Sequence, residues 1–111
     1  MRGEALKGHL DMLLLAAVRA RPAHGYAIIE ELRRLSGGTF DLPEGTVYPA
    51  LHRLERAGLL GSDWAEAHPG NARRRRVYRL TGRGHTALAE REREWARFAD
   101  GVGGVLRGAT P

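Results

Sequence analysis

Two clusters of side chains in this chain offer hydrogen-bond donors at spacings that suit a charged, oxygen-rich partner. The first cluster contains Thr46, Tyr48, His52 and Arg53, with Pro49 among them, and the second is the uninterrupted run Arg73, Arg74, Arg75 and Arg76. Arginine presents a planar fork of N–H groups that matches phosphates and guanine edges. Cationic side chains also neutralise phosphates and release their counterions. These residue types therefore predict contacts with the backbone and base edges of a nucleic acid.

The first cluster lies on a segment, residues 42–60, that has the pattern of an amphipathic helix. Its apolar residues share one face at helical spacing: Val47, Ala50, Leu51, Leu54 and Ala57. Because proline disfavours a regular helix before it, we expect the helix to start near residues 45–46 or to be distorted at Pro49. Gly58 can supply the left-handed residue that ends the helix, with Leu59 packing back over the last turn. The exposed polar face fits either a partner or ordinary solvation.

Composition favours a partner and argues against several other classes of protein. A chain of 111 residues is predicted to form one domain, and its net charge of +5 and pI near 10.7 indicate nucleic acid or an acidic surface. The sequence has no cysteine, and its five histidines lack metal-ligand spacing, so we expect no disulfide, metal or cofactor. We find no phosphate-binding loop and no nucleophile motif, so an enzyme is not expected.

The most apolar early run, Met12–Val18, is too short to span a bilayer. Arg19 and Arg21 follow this run where a small-residue cleavage site would be needed, so no signal peptide is expected. We therefore expect a cytoplasmic protein with no membrane partner.

Two further helices are predicted before the central one. The first covers residues 6–20 and is stopped by Pro22. The second covers residues 26–35, and its inward-facing apolar residues are expected to include Leu35. Together with the segment 42–60, these patterns give three helices in the first half of the chain.

A change to alternating polar and apolar residues follows the third helix. It predicts strands over residues 60–66 and 73–80, joined by a turn at residues 68–71, so that the arginine run lies at the tip of a hairpin. Thr81 is the expected N-cap of a last helix. Three helices followed by a hairpin predict a winged helix-turn-helix, a mainly α fold with a small β-hairpin. In helix-turn-helix proteins the second helix of the motif enters the major groove of DNA.

The chain resembles the PadR family of bacterial transcription regulators, in its short form with one C-terminal helix. The resemblance lies in KGHL at 7–10, PAHGYAI at 22–28, EGTVYPAL at 44–51, RLE at 53–55, GLL at 58–60, RVY at 76–78, LT at 80–81 and Gly84. These motifs cover most of residues 6–90 in order. The resemblance implies a dimeric winged-helix repressor, often one that releases DNA on binding a small molecule. It also implies that Tyr48 lies against a DNA phosphate.

The last helix carries an apolar seam that a single winged helix would leave in water. Leu88, Arg91, Trp95, Phe98, Val102 and Val105 recur at spacings of three and four, a heptad-like pattern with one arginine. We therefore predict a homodimer formed through Leu88, Arg91, Trp95, Phe98 and Val102. Residues 1–80 would form the DNA-binding unit. Residues 81–111 would form the dimerisation helix and a tail that weakens near Asp100 because of its glycines.

Trp95 also carries a hypothesis about a ligand. The resemblance suggests that a small planar or aromatic effector lies between this residue and its mate at the dimer centre, with Leu14 and Phe98 expected nearby. The alternative is that Trp95 is simply part of the dimer core, since large aromatic side chains dominate interface energetics.

The function predicted from the sequence is a ligand-responsive homodimeric repressor that binds a pseudo-palindromic operator in double-stranded DNA. Thr46, Tyr48, His52 and Arg53 would lie in or beside the major groove, and the four arginines of the hairpin would contact phosphates or the minor groove. Two alternatives remain open. One is a winged-helix protein-interaction module that uses the basic face, and the other is a small-molecule-binding protein that uses the dimer-centre pocket.

Overall fold

The computed structural model describes residue 6, residues 8–65 and residues 75–108. Its helices are α1 (Leu10–Arg19), α2 (Gly25–Leu35), α3 (Glu44–Arg56) and α4 (Gly82–Gly108), and its strands are β1 (Ala23–His24), β2 (Leu60–Ala65) and β3 (Arg75–Leu80). The strands form one antiparallel sheet in the order β1-β3-β2. This mainly helical architecture with a small sheet confirms the predicted winged helix-turn-helix.

The first helix begins later than the sequence pattern predicted. It starts at Leu10 rather than at Leu6, because Gly8 has a φ of +90° and takes the backbone out of the helical region. Leu6 is nevertheless buried in the core, and its carbonyl accepts a hydrogen bond from the His9 N–H at 2.8 Å. The helix ends at Arg19, before Pro22, as predicted.

The second helix begins with a histidine cap. His24 has an extended backbone, and its Nδ1 accepts a hydrogen bond from the Ala27 N–H at 3.2 Å. Ile28 and Leu32 are buried, but the predicted inward position of Leu35 is wrong, since this residue is 62% exposed. Leu35 is the last residue of the helix, where the hydrophobic core has already ended.

The third helix starts at Glu44 and continues through Pro49 without interruption. The carbonyl that Pro49 cannot pair belongs to Gly45, which is exposed and has open space around it, so the loss is tolerated. Gly58 ends the helix with a φ of +80°, as predicted. The Leu59 N–H donates to the Leu54 carbonyl at 3.0 Å, which completes a Schellman motif. Ala57, predicted to be buried, is exposed because it already lies in the C-cap.

The hydrophobic core joins the three short helices to the sheet and to the start of α4. Its fully buried side chains are Leu14, Leu15, Val18, Ile28, Val47, Leu51, Leu54, Leu60, Tyr78 and Leu88. Every helix and both longer strands contribute to this set. Because α3 and β3 share one core, burial fixes the orientation of the polar face of α3 relative to the hairpin.

The hairpin confirms the predicted strand pairing, and the sheet contains one further strand that was not predicted. β2 and β3 pair with Leu60 opposite Leu80 and Ala65 opposite Arg75. The missed strand is β1, which pairs Ala23 with Tyr78 and His24 with Val77; a strand of two residues has no detectable alternation. The predicted turn at 68–71, together with Arg73 and Arg74, lies outside the described residues.

The last helix is capped as predicted but does not weaken where expected. The Thr81 Oγ1 accepts the Gly84 N–H at 3.0 Å and lies 2.7 Å from the Gly58 carbonyl, to which it can donate. α4 then continues to Gly108, so the expected weakening near Asp100 is wrong. The helix contains no proline, and glycine at these positions lowers helix propensity without removing a backbone hydrogen bond.

Gly84 lies where α4 closely approaches Leu59 and Leu80, and it supplies a test of this packing. A Cβ at this position would lie 2.1 Å from the Leu59 carbonyl oxygen and 2.6 Å from the Leu80 side chain. We expect Gly84→Ala to lower the free energy of unfolding by about 2 kcal/mol because the backbone must move to relieve the overlap. Urea denaturation followed by circular dichroism measures the change. Gly82→Ala is the control in the same turn, where a Cβ meets open space, and an equal loss there would contradict this explanation.

Candidate nucleic-acid interface

One groove brings together residues from both clusters of candidate donors. It has a volume of about 570 Å³ and lies between the start of α2, residues 44–52 of α3 and the strands of the hairpin. Its lining includes Tyr48, His52, Arg75 and Arg76. Thr46 and Pro49, on the same helix, are exposed. The fold thus places six of the nine candidate residues on α3 and β3 next to this groove or on the exposed surface of α3. Arg53 is engaged elsewhere.

Tyr48 is less exposed than its position in the sequence suggested. Its ring lies over Gly25, where an added Cβ would be only 2.5 Å from the ring and 2.8 Å from the hydroxyl oxygen. The absence of a side chain at Gly25 therefore creates the space that Tyr48 occupies. The phenol is half-buried while it lines the groove, so its position is fixed by packing.

Arg53 points back to the body of the protein. Its guanidinium donates two hydrogen bonds to the Asp11 carboxylate on α1, at 2.7 and 2.9 Å, and Arg91 on α4 lies 3.4 Å from the same carboxylate. The hydrogen bond from Arg53 is the main reason why the pKa of Asp11 lies below its ordinary value. The same hydrogen bond raises the pKa of Arg53. This triad, Asp11 with Arg53 and Arg91, ties α3 to both α1 and α4.

Arg76 forms a second connection, between the hairpin and α3. Its Nε–H donates to the Ser62 Oγ at 2.7 Å, and its Nη2 lies 3.3 Å from the Glu55 carboxylate. The guanidinium also lies 5.2 Å from the centroid of the Trp64 ring, in a cation–π arrangement. Ser62 bonds Glu55 as well, and this hydrogen bond is the largest cause of a lowered pKa at Glu55. Arg76 is therefore held in place by the protein on several sides.

Arg75 is exposed and is the first residue of β3. Its Nη1 lies 3.0 Å from the Nε2 of His24, the residue that caps α2. Burial first, and then the positive charge of Arg75, lower the pKa of His24, so the imidazole is neutral at neutral pH. This pair places a cation and a ring N–H site side by side at the groove.

A second concave region lies on α1 and α4, around the predicted ligand residue Trp95. Its ring makes an edge contact with His9, at a centroid distance of 5.3 Å, and a tilted contact with Phe98 at 5.9 Å. A cavity of about 370 Å³ is lined by Leu6, His9, Met12, Leu13, Phe40, Trp95 and Phe98. The prediction that Leu14 lies at this site is wrong, because Leu14 is 0% exposed and its side chain belongs to the core. Leu13 lines the cavity instead.

The predicted dimerisation seam is divided between the core and the surface. Leu88 is 1% exposed and packs inside the protomer, so its assignment to the seam is wrong. Arg91 is half-buried beside Asp11. Trp95, Phe98, Val102, Val105 and Leu106 are all exposed. The exposed apolar face thus starts at Trp95, two turns later than the pattern predicted, because the first turns of α4 are used to pack on the hairpin and α1.

Several residues of the interface were not predicted as functional from the sequence. Asp11, Glu55, Ser62 and Trp64 hold candidate residues in place, and His24 caps α2 while it also lies beside Arg75. No local sequence pattern marks the contacts of these residues, since each residue contacts a partner between 7 and 51 positions away in the sequence. Among the described residues, no group of three or more metal-binding side chains occurs, and no helix is long and apolar enough to cross a membrane.

Comparison with known proteins shows which family the chain belongs to. The Transcriptional regulator PadR-like family matches residues 14–90, which include the three short helices from Leu14 onward, the sheet and the first turns of α4. The chain belongs to the PadR-like family. Its members are transcriptional regulators rather than enzymes; they bind DNA and are typically dimeric.

Individual PadR relatives agree with this assignment. The chain is 42% identical over 76 residues to Transcriptional regulator Rv3488 of Mycobacterium tuberculosis, across 68% of this chain and 65% of the relative. A PadR family transcriptional regulator from Eggerthella lenta is 36% identical, with a TM-score of 0.79 over 97% of this chain and 88% of the other. A PadR-like transcription factor from Bacteroides fragilis is 31% identical, with a TM-score of 0.74 over 92% and 94% of the two chains.

The Asp11 triad leads to a prediction about stability and pH. Asp11→Asn should lower the free energy of unfolding by about 1 kcal/mol at pH 7, because Arg53 and Arg91 would lose their shared counter-charge. The pKa of Asp11 is depressed in the folded protein below its ordinary value of 3.8. The carboxylate therefore stabilises the fold above that pH, and its contribution is lost as pH falls through the folded-state pKa.

Urea denaturation of both proteins between pH 7 and pH 3 measures this effect. The difference between wild type and Asp11→Asn should shrink toward zero as the carboxylate becomes protonated. Asp63→Asn is the matched control, because the Asp63–Arg79 pair is far more exposed and should contribute little. A pH-independent difference would show that Asp11 acts through its shape and not through its charge.

Proposed function

We propose that this PadR-family regulator is a homodimeric repressor that binds a pseudo-palindromic operator and releases it when a small effector binds. The observation that supports DNA recognition most directly is the groove, where Tyr48 and His52 of α3 meet Arg75 and Arg76 of the hairpin. Two such surfaces related by a two-fold axis would present two recognition helices to half-sites about one helical turn apart, roughly 10 bp.

Within each protomer, the contacts with DNA would be divided along α3. We assign base reading to residues 46–52, where Thr46, Pro49 and His52 are exposed. Arg53 would have to leave Asp11 before it could reach a base edge, and this loss opposes a direct role in reading sequence. Tyr48 and Arg75 suit phosphates, because the first is fixed by packing and the second is an exposed cation.

The hairpin would follow the DNA backbone beside the major groove of DNA, which α3 would enter. Arg76 is held by Glu55 and Ser62, so it would set the angle of the hairpin and also contribute positive charge to the interface. Arg73 and Arg74 precede β3, and we propose that they contact phosphates or the minor groove.

The dimer and the effector site would share the exposed face of α4. Trp95 and Phe98 are 44% and 59% exposed, and large aromatic side chains at helical spacing are the usual core of an interface. The apolar cavity beside Trp95 opens on the same face, so a second copy would close it. A planar aromatic molecule between the two copies of Trp95 would then bias the relative positions of the two DNA-binding units.

The first test is fluorescence anisotropy of the protein with DNA from upstream of its own gene and with a shuffled control, at several salt concentrations. We expect the upstream DNA to be preferred by a factor of at least about 10³. Thr46→Ala combined with His52→Ala should reduce this preference while leaving the salt dependence unchanged, because bases and not phosphates would lose their contacts.

The matched control is Arg75→Gln, which should weaken binding to both DNAs equally and make the salt dependence shallower by about one counterion. Steeply salt-dependent binding of equal strength to both DNAs would contradict operator recognition at this promoter. In that case the basic face would bind phosphates without specificity, and a protein-interaction role would be favoured.

The second test addresses the dimer and the effector with one substitution. Phe98→Glu should convert the dimer to a monomer in sedimentation equilibrium, because it places two carboxylates in an apolar contact. In a Trp64→Phe background, where Trp95 is the remaining tryptophan, planar aromatic dyes should quench the fluorescence saturably in the dimer and not in the monomer.

Each outcome of this test has a separate meaning. A dimer that survives Phe98→Glu would place the interface elsewhere. A monomer that still binds dye would locate the ligand in the cavity of one protomer. A dimer with no saturable quenching would contradict the effector site and leave Trp95 as part of the interface core.

A further inference from the structure

His24 makes two contacts that one imidazole cannot satisfy as hydrogen bonds. Its Nδ1 lies 3.2 Å from the Ala27 N–H, and its Nε2 lies 3.0 Å from the Nη1 of Arg75. Both neighbours are donors. A neutral imidazole has one acceptor nitrogen and one N–H, and a guanidinium has no acceptor. A ring that accepted at both nitrogens would be an imidazolate anion, which does not form near neutral pH. One of the two contacts is therefore a donor facing a donor.

The helix determines which contact is the genuine hydrogen bond. The Ala27 N–H belongs to the first turn of α2 and has no partner within the helix, so it needs the cap that His24 Nδ1 provides. The proton then resides on Nε2, which faces the Arg75 guanidinium. Burial and the charge of Arg75 lower the pKa of His24 and keep the ring neutral, and protonation would only add a further donor at Nδ1. The two donor atoms, His24 Nε2 and Arg75 Nη1, lie 3.0 Å apart, and a single acceptor placed between them could satisfy both.

We propose that His24 and Arg75 together bind one phosphate oxygen of DNA. This inference rests on the proposed function and adds to it a backbone contact from the junction of β1 and α2. A non-bridging phosphate oxygen has only acceptor sites, so it can accept from both the Nε2–H and the guanidinium. Such an oxygen turns an unfavourable contact in the free protein into two charge-assisted hydrogen bonds in the complex.

The surroundings of the pair fit an anion of this kind. His24 and Arg75 line the groove that also contains Tyr48 and His52, so an oxygen between them would lie beside the surface that reads DNA. Arg76 adds a second positive charge to the lining, and Glu44 adds a carboxylate at the start of α3. Because Glu55 pairs with Arg76 from outside the lining, Arg75 is the cation that would meet the proposed oxygen.

The substitution His24→Asn separates the cap from the phosphate contact. Asparagine is a good N-cap and can accept the Ala27 N–H, but its shorter side chain leaves Arg75 without the neighbouring ring donor. We expect affinity for operator and shuffled DNA to fall by the same factor, about 3- to 10-fold, because a phosphate carries no sequence information. His85→Asn is the matched control: this histidine is exposed on α4, away from the groove, and its replacement should leave affinity unchanged.

Replacing single phosphates of the DNA by an uncharged linkage identifies the phosphate that His24 and Arg75 contact. Methylphosphonate substitutions placed one at a time along the DNA should weaken wild-type binding most at one linkage in each half-site. At that linkage, His24→Asn and Arg75→Gln should lose little further affinity, because the contact is already absent. If His24→Asn lowers the melting temperature, Arg75→Gln, which leaves the cap intact, gives the same comparison.

Two results would overturn the inference. One is that His24→Asn binds DNA as tightly as the wild type. The other is that the loss of affinity caused by His24→Asn is equally large on every methylphosphonate DNA, so that no linkage masks it. Equal binding of wild type to operator and shuffled DNA would refute operator recognition instead. The phosphate contact would still be testable on the shuffled DNA, so failure of the proposed function and failure of this inference can be told apart.

Discussion

The arrangement of this molecule depends on how the C-terminal half of α3 is held. On one side Arg53 binds the Asp11 carboxylate of α1, and on the other Glu55 contacts Arg76 of the hairpin. Between these two ion pairs the apolar face packs into the core through Leu51 and Leu54. Each pair is only partly shielded and contributes modestly by itself. Together with the core they define a single orientation of the helix, which a DNA-reading surface requires.

This arrangement explains why the polar residues of α3 have different roles although the sequence presents them as one stripe. Arg53 and Glu55, near the end of the helix, face other elements of the protein, whereas Thr46 and His52, which precede them, face outward. Pro49 lies between Thr46 and His52 and keeps an exposed surface with no side-chain donor. The part of α3 that is free to meet DNA is therefore about two turns long.

The features that could be predicted from the sequence were those encoded within a few residues of one another. Gly58 and Thr81 ended and began helices as expected, because caps depend on local backbone geometry. The Asp11–Arg53 pair joins residues 42 positions apart, and no local pattern marks it. The length of α4 was underestimated because each glycine lowers helix propensity by a small amount that the continuous backbone hydrogen bonds outweigh.

The uninterrupted course of α4 also gives the molecule a mechanical property. A helix of 27 residues is roughly 40 Å long, and it accounts for much of the 64 Å extent of the chain. Since its first turns are packed on the winged-helix core, it behaves as a lever rigidly joined to that core. If α4 rotates by about 5° about its C-terminal end, its N-terminal end moves by roughly 3 Å, close to the 3.4 Å rise of one base pair. In the proposed dimer, a slight change at the distal end would thus be enough to bring two half-sites out of register.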